Sequence, residues 1–186
     1  MEKLEVIEKI VKQSLSEKRF NHSKCVQKRC EELAIIYNVD LDKARKVGIA
    51  HDIAKEMTDE EKMNYIKEHR LQIDDIEKEN TALLHAKIGA DIVKRKFEFT
   101  DDMIEAVAYH TTAKANMCML SKILFVADAT GEDRNWNDLE PVRKMSETDL
   151  DGAIIYIIEL NIRQNMEKKK LIHPDSILAL NELFKK

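Results

Sequence analysis

Five places along this sequence carry side chains able to bind a cation or move a proton: His22, the adjacent pair His51-Asp52, His85, His110 and Asp128. Imidazole nitrogens and carboxylate oxygens without thiolates suit iron, manganese, cobalt or zinc, and a carboxylate can also bridge two ions. Each place falls on an apolar stripe with helical spacing. His51 follows Ala44, Val47 and Gly48 at i+7, i+4 and i+3; His85 precedes Ile88, Gly89 and Ile92; His110 follows Met103 and Val107; Asp128 follows Leu124 and Phe125. A buried histidine or aspartate without a partner is costly. Several that point into one core are expected to satisfy each other through a shared cation.

Adjacent residues on a helix diverge by about 100 degrees, so His51 and Asp52 can approach one ion from neighbouring directions. Lys55 lies three residues after Asp52 and four after His51, on the same helical face, where its ammonium can neutralise a phosphate oxygen or assist a leaving group. Its plainer reading is a solvated lysine.

The elements that must position these groups are helical. Among 186 residues there are only 4 Gly and 2 Pro, and good helix formers dominate. The spacing predicts an amphipathic helix at the N-terminus with Leu4, Ile7, Ile10, Val11 and Leu15 inward, then helices over about 21–37 and 41–56. Thr58 and Glu61 form a capping box for the next helix. An acidic connector is expected at 73–80. Further helices are expected over 85–96, from Asp101 to His110 under a Thr100 cap, over 121–130 stopped by Gly131, over 149–169, and after His173-Pro174-Asp175. The stretch 132–146 reads as an ordered loop. No repeat or linker justifies a cut, so the expected architecture is an all-α, compact helical bundle forming one domain over 1–186, with its core at about 19–130.

In order, the strings around these residues are His22, GIAHDIAK with His51-Asp52, LLHAKIGA with His85, AYHTTAKANM with His110 and FVADATGEDRNW with Asp128. This series resembles the HD superfamily and, more narrowly, the YqeK-type branch, whose members hydrolyse diadenosine tetraphosphate symmetrically to two ADP. The resemblance runs from about Arg19 to the terminal LIHPDSILALNELF. It implies an HD-domain fold, with His22, His51, Asp52 and Asp128 holding a principal divalent or trivalent transition metal, iron by preference. His85 and His110 either hold a second ion bridged through Asp52 or contact the substrate phosphates. Asp52 and Lys55 are the residues assigned to catalysis.

An arginine at the place of Arg134 binds phosphate in that family, a task suited to bidentate donor geometry. The chain departs from the family pattern on either side of the site, with Gly131-Glu132 where Glu-Pro is usual and Ala113 where YHTTG is usual. Arg19 stands just before the first ligand helix and can reach an anionic substrate or form an exposed ion pair. His69 reads as a surface residue near a helix end, and His173 as a helix initiator with nucleotide contact as the lesser reading.

The charge balance, 31 basic against 35 acidic residues and a net −4, describes a solvated helical surface. It argues against a nucleic-acid groove or an anionic-membrane patch. Cys25, Cys30 and Cys118 form no CxxC pair and read as reduced core thiols. No stretch approaches the ~20 apolar residues of a membrane span. The expected setting is therefore cytoplasmic, with a small nucleotide as partner and a homodimer left open. Two rival functions remain: an HD phosphohydrolase acting on a nucleoside mono- or triphosphate or cyclic dinucleotide, and a catalytically silent nucleotide-binding protein that keeps its ligands for stability.

Overall fold

The computed structural model describes residues 2–185, and among these every regular element is helical. The order is α1 (Leu4–Ser14), α2 (Glu17–Ile36), α3 (Leu41–Ala50), α4 (Asp59–His69), α5 (Asp75–Glu79), a 3-10 turn at Thr81–Leu83, α6 (Leu84–Phe97), α7 (Asp101–Tyr109), α8 (Met119–Thr130), α9 (Leu139–Met145), α10 (Leu150–Glu167) and α11 (Pro174–Leu183). None of these helices is long and apolar enough to cross a membrane.

The bundle is built around α8, whose residues from Leu120 to Ala127 are all buried. Helices α2, α3, α7 and α10 pack against it, and α6 lies along α7. Val26 and Leu33 of α2, Val47 of α3, Val107 of α7, Ile123 and Leu124 of α8 and Ile154 of α10 share one core. Helices α2 and α3 approach each other closely at Gly48. A Cβ at Gly48 would stand 2.6 Å from the Gln27 Cα, so only glycine lets the two backbones meet there.

Local chemistry sets the helix starts. Ser16 accepts from the Arg19 amide, Asp40 from Lys43 and Asp149 from Gly152, each satisfying an amide that the first turn leaves without a partner. Thr58 and Glu61 form the reciprocal box expected of them. At α11, the His173 ring accepts from the Asp175 amide, with Pro174 at the first helical position.

Several local expectations change. The helix expected over 41–56 ends at Ala50; residues 51–56 continue as successive tight turns, with Ile53 N donating to Ala50 O at 3.1 Å and Lys55 N to Asp52 O at 2.8 Å. The connector at 73–80 contains α5, opened by a second capping box between Asp74 and Glu77. The loop at 132–146 contains α9, in which Pro141 sits in the first turn, where its missing N–H costs nothing. Gly131 closes α8 in an extended conformation (φ −54°, ψ 157°) rather than a left-handed one, and Thr100 donates to Asp102 rather than capping α7. Of the cysteines only Cys30 is fully buried; Cys118 instead caps α8 with its thiol.

Candidate metal centre

Four histidines converge, and in each the same nitrogen faces inward. His51 Nδ1 donates to Gly48 O at 2.8 Å, His85 Nδ1 to Ala82 O at 2.5 Å and His110 Nδ1 to Val107 O at 2.7 Å. In each case the acceptor is the carbonyl three residues earlier, which a helix end or tight turn leaves available. His22 lies in mid-helix on α2, where backbone carbonyls are taken, and its Nδ1 donates to Asp133 Oδ2 at 2.8 Å instead. Protonation of every Nδ1 leaves every Nε2 as a lone-pair donor.

Those lone pairs surround Asp52. Its Oδ2 is 3.4 Å from His51 Nε2 and 3.9 Å from His22 Nε2. Its Oδ1 is 3.3 Å from His85 Nε2 and 3.5 Å from His110 Nε2. Asp128 Oδ1 adds a second carboxylate, 3.1 Å from His22 Nε2 and 3.8 Å from His51 Nε2. One oxygen of Asp52 therefore serves one pair of histidines and the other oxygen serves the second pair.

This assembly lacks protons. His85 Nε2 and His110 Nε2 face each other at 3.1 Å although both rings have spent their N–H elsewhere, and the buried His51 Nε2 and Asp52 Oδ1 have no hydrogen-bond partner. Clustered buried acceptors are stable only with positive charge among them. Two overlapping triads have the compactness of ion sites, His22/His51/Asp128 and His51/Asp52/His110. The donor set and its orphaned atoms thus fit a nitrogen/oxygen-liganded transition metal.

Electrostatics point the same way. Burial alone would raise the Asp52 carboxyl; positive charge on the surrounding His51, His110 and His85 would hold it far below the usual carboxylate range, and with those rings neutral that charge has to come from an ion. Asp128 is likewise held low against burial, by His22, His51 and Arg134. Burial pushes His85 down to about 4, with the nearby His110 and Lys55 adding to the effect and Asp52 opposing it, so the ring is neutral at pH 7. Both carboxylates are ionised and the His85 ring is unprotonated at Nε2.

Three cations rim the cluster. Arg19 donates to Asp52 Oδ2 at 3.0 Å. Arg134 pairs with the Asp128 carboxylate, donates to the Asp128 carbonyl at 2.6 Å and comes within 3.2 Å of His22 Nε2. Lys55, carried by the tight turns after Asp52, places Nζ 3.1 Å from His85 Nε2 and 3.9 Å from Asp52 Oδ1. Burial lowers its pKa, against the pull of Asp52 and Asp128. His69 and His173 lie apart: His69 packs on Tyr65, and His173 pairs with Asp74 at 2.9 Å.

All six residues expected at the centre are therefore brought together. Asp133 is the one that sequence reasoning missed, since it sits on a loop where no helical period marks it. Ala113, where the family pattern has glycine, adopts a left-handed φ of 59°, which accounts for glycine in that pattern.

Residues 19–132 match the family model described as the HD domain. A symmetrical bis(5'-nucleosyl)-tetraphosphatase of Halalkalibacterium halodurans is 35% identical over 94% of each chain. The enzyme of the same name from Bacillus subtilis is 34% identical over 93% of each. In fold, the chain is similar to the crystal structure of a predicted HD superfamily hydrolase involved in NAD metabolism from Clostridium acetobutylicum, with a TM-score of 0.95, 30% identity and coverage of 100% of this chain and 98% of that one.

Proposed function

Because this chain belongs to the HD-domain family, among relatives named symmetrical bis(5'-nucleosyl)-tetraphosphatases, we infer that it hydrolyses diadenosine tetraphosphate symmetrically to two ADP. The observation that carries this reading is Asp52, a buried carboxylate whose two oxygens face two separate histidine pairs. Water adds to phosphorus, the anhydride bond between the second and third phosphates breaks, and ADP leaves with the bridging oxygen.

His22, His51, Asp52 and Asp128 would hold the principal ion, and His85 and His110 would hold a second one shared through Asp52 or contact phosphate. When bound, such an ion supplies Lewis acidity that lowers the pKa of water from 15.7 toward ~7 and offsets phosphate charge. The orphaned acceptors support a transition metal, and the family resemblance puts iron first, with manganese, cobalt and zinc as alternatives. Elemental analysis of protein purified without chelator decides among them.

The rim acts on the substrate. Lys55 stands beside both Asp52 and His85, so its ammonium can meet a phosphate oxygen and offset charge as the anhydride breaks. Arg134 and Arg19 hold the ligand carboxylates in a geometry that also suits phosphate, and they exchange one anion for the other as substrate enters. ADP is a weakly basic leaving group. Charge stabilisation therefore outranks a strong general acid, in keeping with carboxylates held ionised.

The test is to incubate metal-loaded protein with diadenosine tetraphosphate and separate the products. ADP as the sole nucleotide product is expected; AMP with ATP, or no turnover, overturns the assignment. A panel of nucleoside mono- and triphosphates and cyclic dinucleotides in the same assay compares the rival substrates.

A further inference from the structure

Two clefts open beside the cluster, one at Asp128 and one next to His85. The first, about 310 Å³, begins at Asp128 and Arg134 and is walled by Trp136 and Leu160. The second, about 290 Å³, begins at Ala82 and Thr111, which touch His85 through a 2.5 Å bond to Nδ1 and a 3.4 Å approach to Nε2, and Phe125 lines it. Asn161 and Gln164, one turn apart on α10, line both. A third cleft, about 470 Å³, is lined by Lys18, Arg19 and Arg134 together with Glu56 and Asp133 and has no apolar side chain in its lining, which suits a polar group rather than a base.

The first two clefts each lie near the bottom of the ~300–1,000 Å³ range of small-molecule sites. That is room for half a dinucleotide in each, not for a whole one in either. Trp136 is fixed for stacking: its ring N–H donates to the Ala129 carbonyl at 2.9 Å, and Tyr156 stacks on it at 6.3 Å and 22°. Carboxamides that face two clefts present donors and acceptors to a ligand in each.

We propose that the two clefts are paired nucleoside subsites, one for each adenosine of the substrate, divided by the Asn161/Gln164 ridge of α10. This rests on the dinucleotide reading above. It gives a reason for symmetrical cleavage: with one nucleoside seated beyond Asp128 and the other beyond His85, the middle of the tetraphosphate lies over Asp52.

Titration of the metal-loaded full chain with ADP tests it apart from turnover. Two ADP per chain are expected, falling to one in Trp136→Ala, with Trp136→Phe restoring the second. For diadenosine tetraphosphate, Trp136→Ala and Asn161→Ala should raise KM about tenfold, more than they change kcat, while adenosine 5'-tetraphosphate, with one nucleoside, binds about tenfold more weakly than the dinucleotide. Turnover with a single ADP site and an unmoved KM overturns the paired subsites and leaves the activity standing. Absent turnover with two ADP sites sinks the activity and keeps the subsites. Thermal unfolding of each variant identifies any that fail to fold, and Asn161→Ala, at an exposed position of α10, then decides through its KM.

Discussion

At Asp52 opposing demands meet, since the carboxylate is 2% exposed yet must stay ionised. Four imidazoles make that tolerable only with positive charge between them, so Asp52→Ala is expected to abolish turnover while keeping helical content, checked by product analysis beside circular dichroism. Normal turnover with merely a lower melting temperature would instead favour a silent binding protein. Lys55→Ala should lower kcat/KM by about 10²- to 10³-fold, the usual loss for one preorganised charge-stabilising donor. His85 gives a pH signature in metal-free protein. Its folded pKa of about 4 lies below the unfolded value of ~6.5, so the unfolded chain binds the proton first as pH falls. The contribution of this residue is therefore complete above pH ~6.5 and is lost towards pH ~4, about 3 kcal/mol in all, measurable by denaturant unfolding across that window, and it should be absent in His85→Phe. The six residues of the centre were legible in the sequence because buried stripes rarely carry so many titratable groups. Asp133 was not, because a loop residue that touches a histidine 111 positions away leaves no periodic trace.

At the scale of elements, the helices themselves were readable and their ends less so. Periodicity located α2, α3, α6, α7, α8 and α10, since each buries one stripe. It overran at His51, where a side-chain bond to Gly48 O replaces the regular ladder and tight turns follow. It underran at α9, a seven-residue helix inside the stretch expected to be a loop, where Pro141 sits in a tolerant first turn. Gly48 links these elements to the chemistry. Gly48→Ala forces α3 off α2 and is expected to cost about 1–3 kcal/mol by overpacking. Because His51 is pinned to the carbonyl of that same residue, activity should fall further than the lost stability explains, as shown by kcat at a temperature where the variant remains folded.

Across the whole molecule, the centre joins α2, the end of α3, α6, the end of α7 and α8, so a bound ion ties together elements distant in sequence. Ligands that bind only the folded state stabilise it by mass action, and chelation is expected to lower the melting temperature and abolish turnover together, both restored by adding metal back. No such coupling was readable from composition, which indicated only a charged, helical surface. The way the histidines are held has a consequence for heritable change. Three of the four rings are fixed by main-chain carbonyls, which every amino acid supplies, so point mutation cannot delete those acceptors. The fourth, at His22, depends on a codon for aspartate at position 133. Drift and selection can therefore retune metal affinity through that one acceptor, by about 10- to 100-fold in Asp133→Ala and less in Asp133→Asn, while leaving the other three rings aimed as before. Metal competition titrations of the two variants would measure that range.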